Sequence, residues 1–347
     1  MKTYVNRAPQ DTKGTWKTYT LLATVLVISA FPVYWMFVIA TSTDAAVSQI
    51  PPSVIPGNQL FHNLHEVLSM SEVYFTASLI NSFIVALVLL VSAFPVYWMF
   101  VIATSTDAAV AQTPPSVIPG GELMNNLTEV FTLNDVFFAA SLINSVLVSS
   151  VITLATLFFC SLAGFAFAKL RFPARNALMF VVILTLTVPN QLGVVALYIL
   201  MGKIGWNGTL LAVIAPGLVS AFGVFYMRQF IAHAVPDELV ESARIDGAMT
   251  MRVYWSIVLP AIRPALAVLG LLTFVMAWND FQWPLITLNG TDFPTSMVAL
   301  SDLASGNYVI YRRVLAGAFA ATVPLIILLL IGGRQIVRGI MEGALKS

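Results

Sequence analysis

The thirty residues VPDELVESARIDGAMTMRVYWSIVLPAIRP, Val235–Pro264, decide how this chain is read. They form the longest polar interruption in a hydrophobic C-terminal half. Pro236 followed by Asp237 and Glu238 signals a helix start, because a first-turn proline loses no needed donor and acids there suit the helix dipole. Gly247 stands where such a helix would stop. A helix over 236–247 would be roughly 15–18 Å long at about 1.5 Å per residue, too short to cross a bilayer. Leu239, Ala243 and Ile245 are expected to give it a narrow apolar face. A helix of this size suits a groove on a soluble partner; an amphipathic connector lying on the membrane surface is the plainer alternative.

Working outward, the flanks are membrane-like. The chain is 59% hydrophobic and 10% charged, with a mean hydropathy of +0.88, where soluble domains carry about 25% charged residues. A net charge of +1 leaves no nucleic-acid footprint. Cys160 is the single cysteine, so no internal disulfide forms, and His62, His65 and His233 make no metal-ligand cluster. Apolar runs at about 18–41, 77–104, 139–168, 176–202, 208–232, 265–288 and 314–336 are each long enough for a bilayer of about 30 Å. Pro189 and Pro324 fall inside two of them and are expected to kink them.

The N-terminal part contains a tandem repeat. Ser29–Val47 is identical to Ser92–Val110, and Pro51–Gly57 recurs as Pro114–Gly120, always offset by 63 residues. Nineteen unbroken identities point to one recent duplication, and removing 63 of the 347 residues leaves 284. Lys169, Arg171 and Arg175 place the 169–175 loop inside, as Arg244, Arg252 and Arg263 do for the Val235–Pro264 loop and Arg334, Arg338 and Lys346 for the C-terminus. The loops 42–76 and 105–138 contain no Lys or Arg and both read as external, yet one span alone separates them. Either the N-terminus lies outside despite Lys2, Arg7, Lys13 and Lys17, or one copy does not cross. The expected division is a leader with a duplicated first span, residues 1–90, and a transmembrane domain, residues 91–347, whose first span comes from the second copy.

The order Glu241-Ser242-Ala243, three residues, Gly247, nine residues, Ile257, one residue, Leu259-Pro260 resembles the EAA loop of bacterial ABC import permeases, with Ser242 where alanine is usual. Trp278-Asn279-Asp280-Phe281 and the ending Val337-Arg338-Gly339 are similar to the sugar-import, maltose-type branch. The resemblance covers about residues 91–347. It implies an all-α polytopic permease with a six-helix core plus one extra hydrophobic segment, in the bacterial inner membrane. It also implies partners: a second permease chain, an ATPase dimer holding ATP and Mg, an extracellular or periplasmic solute-binding protein, membrane lipid, and a di- or oligosaccharide substrate. Glu241, Ser242, Ala243, Asp246, Gly247, Ile257, Leu259 and Pro260 would then couple the chain to the ATPase, and a bulky residue at Gly247 is expected to stop transport.

The chain has no G-x-x-x-x-G-K-[ST] phosphate loop, so it is expected to bind no cofactor and to catalyse nothing itself. Asp280 lies within an apolar stretch, where an acid marks a functional hypothesis. With Trp278, Asn279 and Gln282 it offers aromatic faces and short polar groups suited to a sugar path; a helix tie or an interfacial aromatic belt fits the same residues. Asn190 and Gln191, after Pro189, are further path candidates because broken helices line transporter sites. Asn144 and Tyr198 are weaker ones. The loop 289–313, with Ser301, Asp302, Ser305, Gly306 and Asn307, is expected to face a binding protein. The competing reading is a carrier driven by an ion gradient, which calls for inverted halves, whereas this repeat is parallel.

Overall fold

The computed structural model describes residues 31–32, 34–49, 54–70, 74–305 and 308–344. All regular structure among them is helical. The chain divides between Ala93 and Phe94 into two compact units. Most of the 18–41 segment, together with Gly306, Asn307 and Lys346, falls outside the described residues.

In the first unit a helix through residues 34–41 is followed by the one-turn α1 (Asp44–Val47), then α2 (Leu60–Ser69) and the start of α3 (Phe75–Ala103). Four bonds tie the turn together. Tyr34 Oη donates to the Val54 carbonyl at 2.6 Å, the Gly57 N–H donates to Thr41 Oγ1 at 3.0 Å, and Asn63 Nδ2 donates to the Ala40 and Ser42 carbonyls at 3.0 and 2.9 Å.

The second unit repeats this turn with the end of α3, α4 (Asp107–Val110) and α5 (Leu123–Thr132). Tyr97 Oη reaches the Val117 carbonyl at 2.6 Å, the Gly120 N–H reaches Thr104 Oγ1 at 2.9 Å, and Asn126 Nδ2 reaches the Ala103 and Ser105 carbonyls at 2.8 and 3.0 Å. Near-identical sequence gives the same local fold twice. What differs is the partner. In the second copy Arg312 pairs with Asp107 at 2.9 Å and donates to Asn126 Oδ1 at 2.9 Å, and Arg312 and Arg313 both pair with Glu129. Among the described residues no arginine reaches the equivalent Asp44 or Glu66.

The rest of the second unit is built on α6 (Phe138–Lys169). It is followed by α7 (Arg175–Thr187), α8 (Val194–Lys203), α9 (Leu210–Gly217), α10 (Ala221–Ala234), α11 (Asp237–Ile245), α12 (Thr250–Ala261), α13 (Arg263–Trp278), α14 (Gln282–Thr287), α15 (Ser296–Leu303) and α16 (Tyr311–Ala344). Three apolar clusters lie in order along α6. Phe138 packs with Val130, Ala299 and Ala316; Val148 and Ile152 pack with Met201, Ala212 and Trp283; Cys160 and Phe165 pack with Met227, Ile231, Tyr254 and Ile262. The third is closed by backbone approach. A Cβ on Gly164 would lie 2.7 Å from Met227 Cβ and 2.8 Å from the Arg228 nitrogen, so α6 and α10 touch there only because residue 164 has no side chain.

Among the described residues α3, α6, α16 and the nearly continuous Leu210–Ala234 (α9 with α10) are long and apolar enough to cross a membrane, making four spans, or six counting two bent pairs. The predicted runs from 77–104 onward fall on helices, several of them broken, while the 18–41 run lies mostly outside the described residues. The 176–202 run ends at Thr187 and resumes at Val194, around Pro189. The 208–232 run pauses between Gly217 and Ala221, where Ser220 Oγ caps α10 by accepting from the Gly223 N–H at 3.2 Å. The 265–288 run stops at Trp278, where Asn279 Nδ2 donates back to the Val275 carbonyl at 2.8 Å, and restarts as the six-residue α14. An Asn side chain that serves the last turn in this way competes with helix continuation. Pro324 does not interrupt α16; only Pro189, of the two prolines named, breaks its span.

Candidate functional site

The Val235–Pro264 stretch folds largely as its sequence dictates. Pro236 takes the N-cap position, Asp237 and Glu238 occupy the first turn of α11, and Arg244 the last. The C-terminal end is a Schellman motif. The Gly247 N–H bonds the Arg244 carbonyl at 3.0 Å, the Ala248 N–H bonds the Ala243 carbonyl at 2.9 Å, and Gly247 sits at φ +78°.

The buried face corrects the sequence expectation. Val240 and Ala243 point into the core, while Leu239 is 50% and Ile245 87% exposed. Residues three apart share a helical face, and 240 and 243 are the pair that meets Val253, Tyr254 and Val258 of α12. Leu239 and Ile245 flank that face and stand in solvent, with Met249 at 81% exposure beside the turn. Glu241, Ser242, Asp246 and Gly247 are also exposed, and Ser242 Oγ donates to the Leu239 carbonyl at 3.1 Å. Ile257 and Leu259 are half-buried against the α6 cluster, and Pro260 is exposed at the end of α12. The sequence-predicted loop residues therefore separate into an anchoring set, Ala243, Ile257 and Leu259, and an outward-facing set, Glu241, Ser242, Asp246, Gly247 and Pro260.

A polar tie that sequence reasoning missed joins α11 to α6. Lys169 Nζ and Asp237 Oδ1 are 2.5 Å apart; the lysine side chain is 4% exposed and the aspartate 75%. The Lys169 bond and charge, followed by the charges of Arg171 and Arg175, hold the Asp237 carboxyl below the usual carboxylate range. The lysine was visible in the sequence as a marker of sidedness, but nothing local pairs it with a residue 68 positions away.

The second group of predicted residues is less assembled. Trp278 is buried, and Asn279 and Gln282 are exposed. Asp280 is half-buried, two residues before the start of α14. Trp283 Nε1 donates to the Ala212 carbonyl at 2.9 Å, tying α14 to α9. Gln191 is exposed, and the Asn190 side chain lies outside what is described; among the described residues no hydrogen bond joins Gln191 to the 278–282 group. Asn144 donates to the Pro294 carbonyl at 3.0 Å, and Ser145 Oγ accepts from the Ser296 N–H at 2.7 Å. The 289–313 segment is thus no plain loop: it contains α15, carrying Ser301 and Asp302 and seated on α6, with Ser305 just beyond it.

A bundle of apolar spans that sets a short, capped, solvent-facing helix between two of them is the architecture of a transport permease. The chain belongs to the family described as the binding-protein-dependent transport system inner membrane component, whose model matches residues 160–338. It is 31% identical over 255 residues to the sn-glycerol-3-phosphate transport system permease protein UgpE of Yersinia pestis bv. Antiqua (strain Antiqua), covering 72% of this chain and 90% of that protein. It is 34% identical over 263 residues to the lactose transport system permease protein LacG of Rhizobium radiobacter, covering 76% and 94%. Its fold matches a crystal structure of a bacterial ABC transporter involved in the import of the acidic polysaccharide alginate, with a TM-score of 0.66, 20% identity, and coverage of 76% of this chain and 98% of that one. Membership of this family decides against the ion-gradient carrier.

Proposed function

We propose that the chain is one transmembrane subunit of an ATP-driven carbohydrate importer in a bacterial inner membrane, and that α11 is its cytoplasmic coupling helix. In this reading a second permease chain completes the path. An ATPase pair holding ATP and Mg supplies the energy, and an external solute-binding protein delivers the sugar. Relatives named for lactose and for sn-glycerol 3-phosphate support a carbohydrate or polyol-derived substrate.

One observation carries the coupling role. Val240 and Ala243 seat α11 on the core, and this leaves Leu239, Ile245 and Met249 as large apolar side chains in solvent around Glu241. Apolar side chains rimmed by charge on a short rigid helix are what a groove in a soluble partner takes. Trp278, Asn279, Asp280 and Gln282, with Asn190 and Gln191, remain the residues we propose for the sugar path. Arg312 and Arg313 engage the second copy of the repeat, which supports residues 91–347 as the permease domain and residues 1–90 as an added element.

The test is co-purification. A chain that hydrolyses ATP should accompany the permease in detergent, and Leu239→Asp with Ile245→Asp should release it while the permease stays in the membrane. Retention of the ATPase by that variant would remove α11 as the contact. Uptake in whole cells that survives vanadate but not collapse of the proton gradient would overturn ATP-driven import.

A further inference from the structure

Tyr254 carries an unexpected hydroxyl. It begins a π-helical turn, Tyr254–Val258, inside α12, and its ring is 1% exposed in the cluster that also holds Val240 and Ala243 of α11. Single π turns concentrate at functional sites. The Tyr254 hydroxyl lies 2.7 Å from Ser161 Oγ on α6, and both residues are buried. Ser161 Oγ is also 2.5 Å from the Leu157 carbonyl, which takes its one proton, so Tyr254 is the donor to Ser161. Its ring packs on Phe165 of the same helix, centroids 5.8 Å apart.

Apolar side chains slide past one another at little cost. A hydrogen bond in a dry cluster does not, because each partner left alone keeps an unsatisfied polar group. Ser161 and Lys169 lie eight residues apart on α6, about 12 Å along its axis. The α11–α12 segment therefore grips α6 at two heights, by Asp237 at its end and by Tyr254 two turns further in.

We propose that the Tyr254–Ser161 bond is the positioning contact through which displacement of α11 is delivered to α6, and so to the span along which the three clusters are built. This rests on the coupling role of α11 proposed above. Tyr254 touches neither nucleotide nor sugar; it acts by making α12 and α6 move together.

The experiment uses the whole complex with its ATPase, with Cys160→Ala and spin labels at Ile143→Cys on α6 and Val195→Cys on α8, positions 68% and 71% exposed. Inter-label distance is measured with and without ATP plus vanadate. The parent should show a nucleotide-dependent shift. Tyr254→Phe and Ser161→Ala should each cut that shift to less than half while the ATPase still co-purifies, and the double variant should lose no more than either alone, since both remove one bond. Ser161→Ala deletes a single oxygen and keeps the experiment decisive if Tyr254→Phe assembles poorly. A full-sized shift in Ser161→Ala or Tyr254→Phe overturns the inference and leaves the coupling helix intact. Absence of any shift in the parent, with ATPase bound, overturns the coupling role and this inference together.

Discussion

Replacing Gly247 separates two explanations of why a glycine stands there. The residue is at φ +78°, its N–H closes the turn onto Arg244, and a Cβ built on it meets nothing within 4 Å. Within this chain a side chain at 247 has room, so what disfavours one here is the backbone conformation. An L-residue in the left-handed region costs about 1–2 kcal/mol, with asparagine tolerated best and β-branched residues worst. Loss of glycine's freedom in the unfolded chain returns about 0.4–1 kcal/mol. The balance is under about 1 kcal/mol for Gly247→Asn, about 1 for Gly247→Ala, and larger again for Gly247→Val. At about 1.4 kcal/mol per tenfold, the ratio of docking-ready to unready α11 should fall little in Asn, a few-fold in Ala and most in Val. Titrating the purified ATPase against permease in detergent gives the apparent Kd of each variant, and the expected order of weakening is Asn, Ala, Val. Asparagine is larger than alanine, so an order that follows side-chain volume, with Asn worse than Ala, would refute the conformational argument. Unchanged binding by Gly247→Val would refute any role for the turn.

Three further outcomes are expected. Burial pushes the Glu129 carboxyl up, but the bonds and charges of Arg312 and Arg313 outweigh it and hold the group below its ordinary 4.5. The pair's contribution to stability should be present above pH 4.5 and lost as pH falls through the depressed value, so the acid-side drop in melting temperature should shrink in Glu129→Gln. Gly164→Ala should destabilise by about 1–3 kcal/mol through overpacking, because its Cβ would sit 2.7 Å from Met227 Cβ, while Gly332→Ala, which meets nothing within 4 Å, should be neutral or slightly stabilising; thermal melting compares the two. Deleting residues 29–91 removes one copy of the repeat and joins Ile28 to Ser92; the resulting 284-residue chain (347 − 63) should insert and support uptake as the full chain does, and loss of both would show that the first copy is structural.

The local features were legible because each is written in adjacent residues. Apolar runs long enough for a bilayer, the proline-acid start of α11, its glycine stop, the break at Pro189 and the 63-residue repeat depend on contacts within a few positions. The sequence also carried the Glu241-to-Pro260 motif, and with it the family. It could not say which side of α11 is covered: Leu239 and Val240 are neighbours of similar character, and only the approach of α12 buries one and leaves the other at 50% exposure. Nor could it find Lys169 with Asp237, Ser161 with Tyr254, or Arg312 with Glu129, whose partners lie 68, 93 and 183 residues apart. Periodicity reports the nearest turn of helix and no further. The repeat shows the limit most directly: two near-identical stretches make the same turn, yet among the described residues ion pairs are seen only in the copy that meets Arg312 and Arg313, because those depend on what the rest of the chain brings alongside.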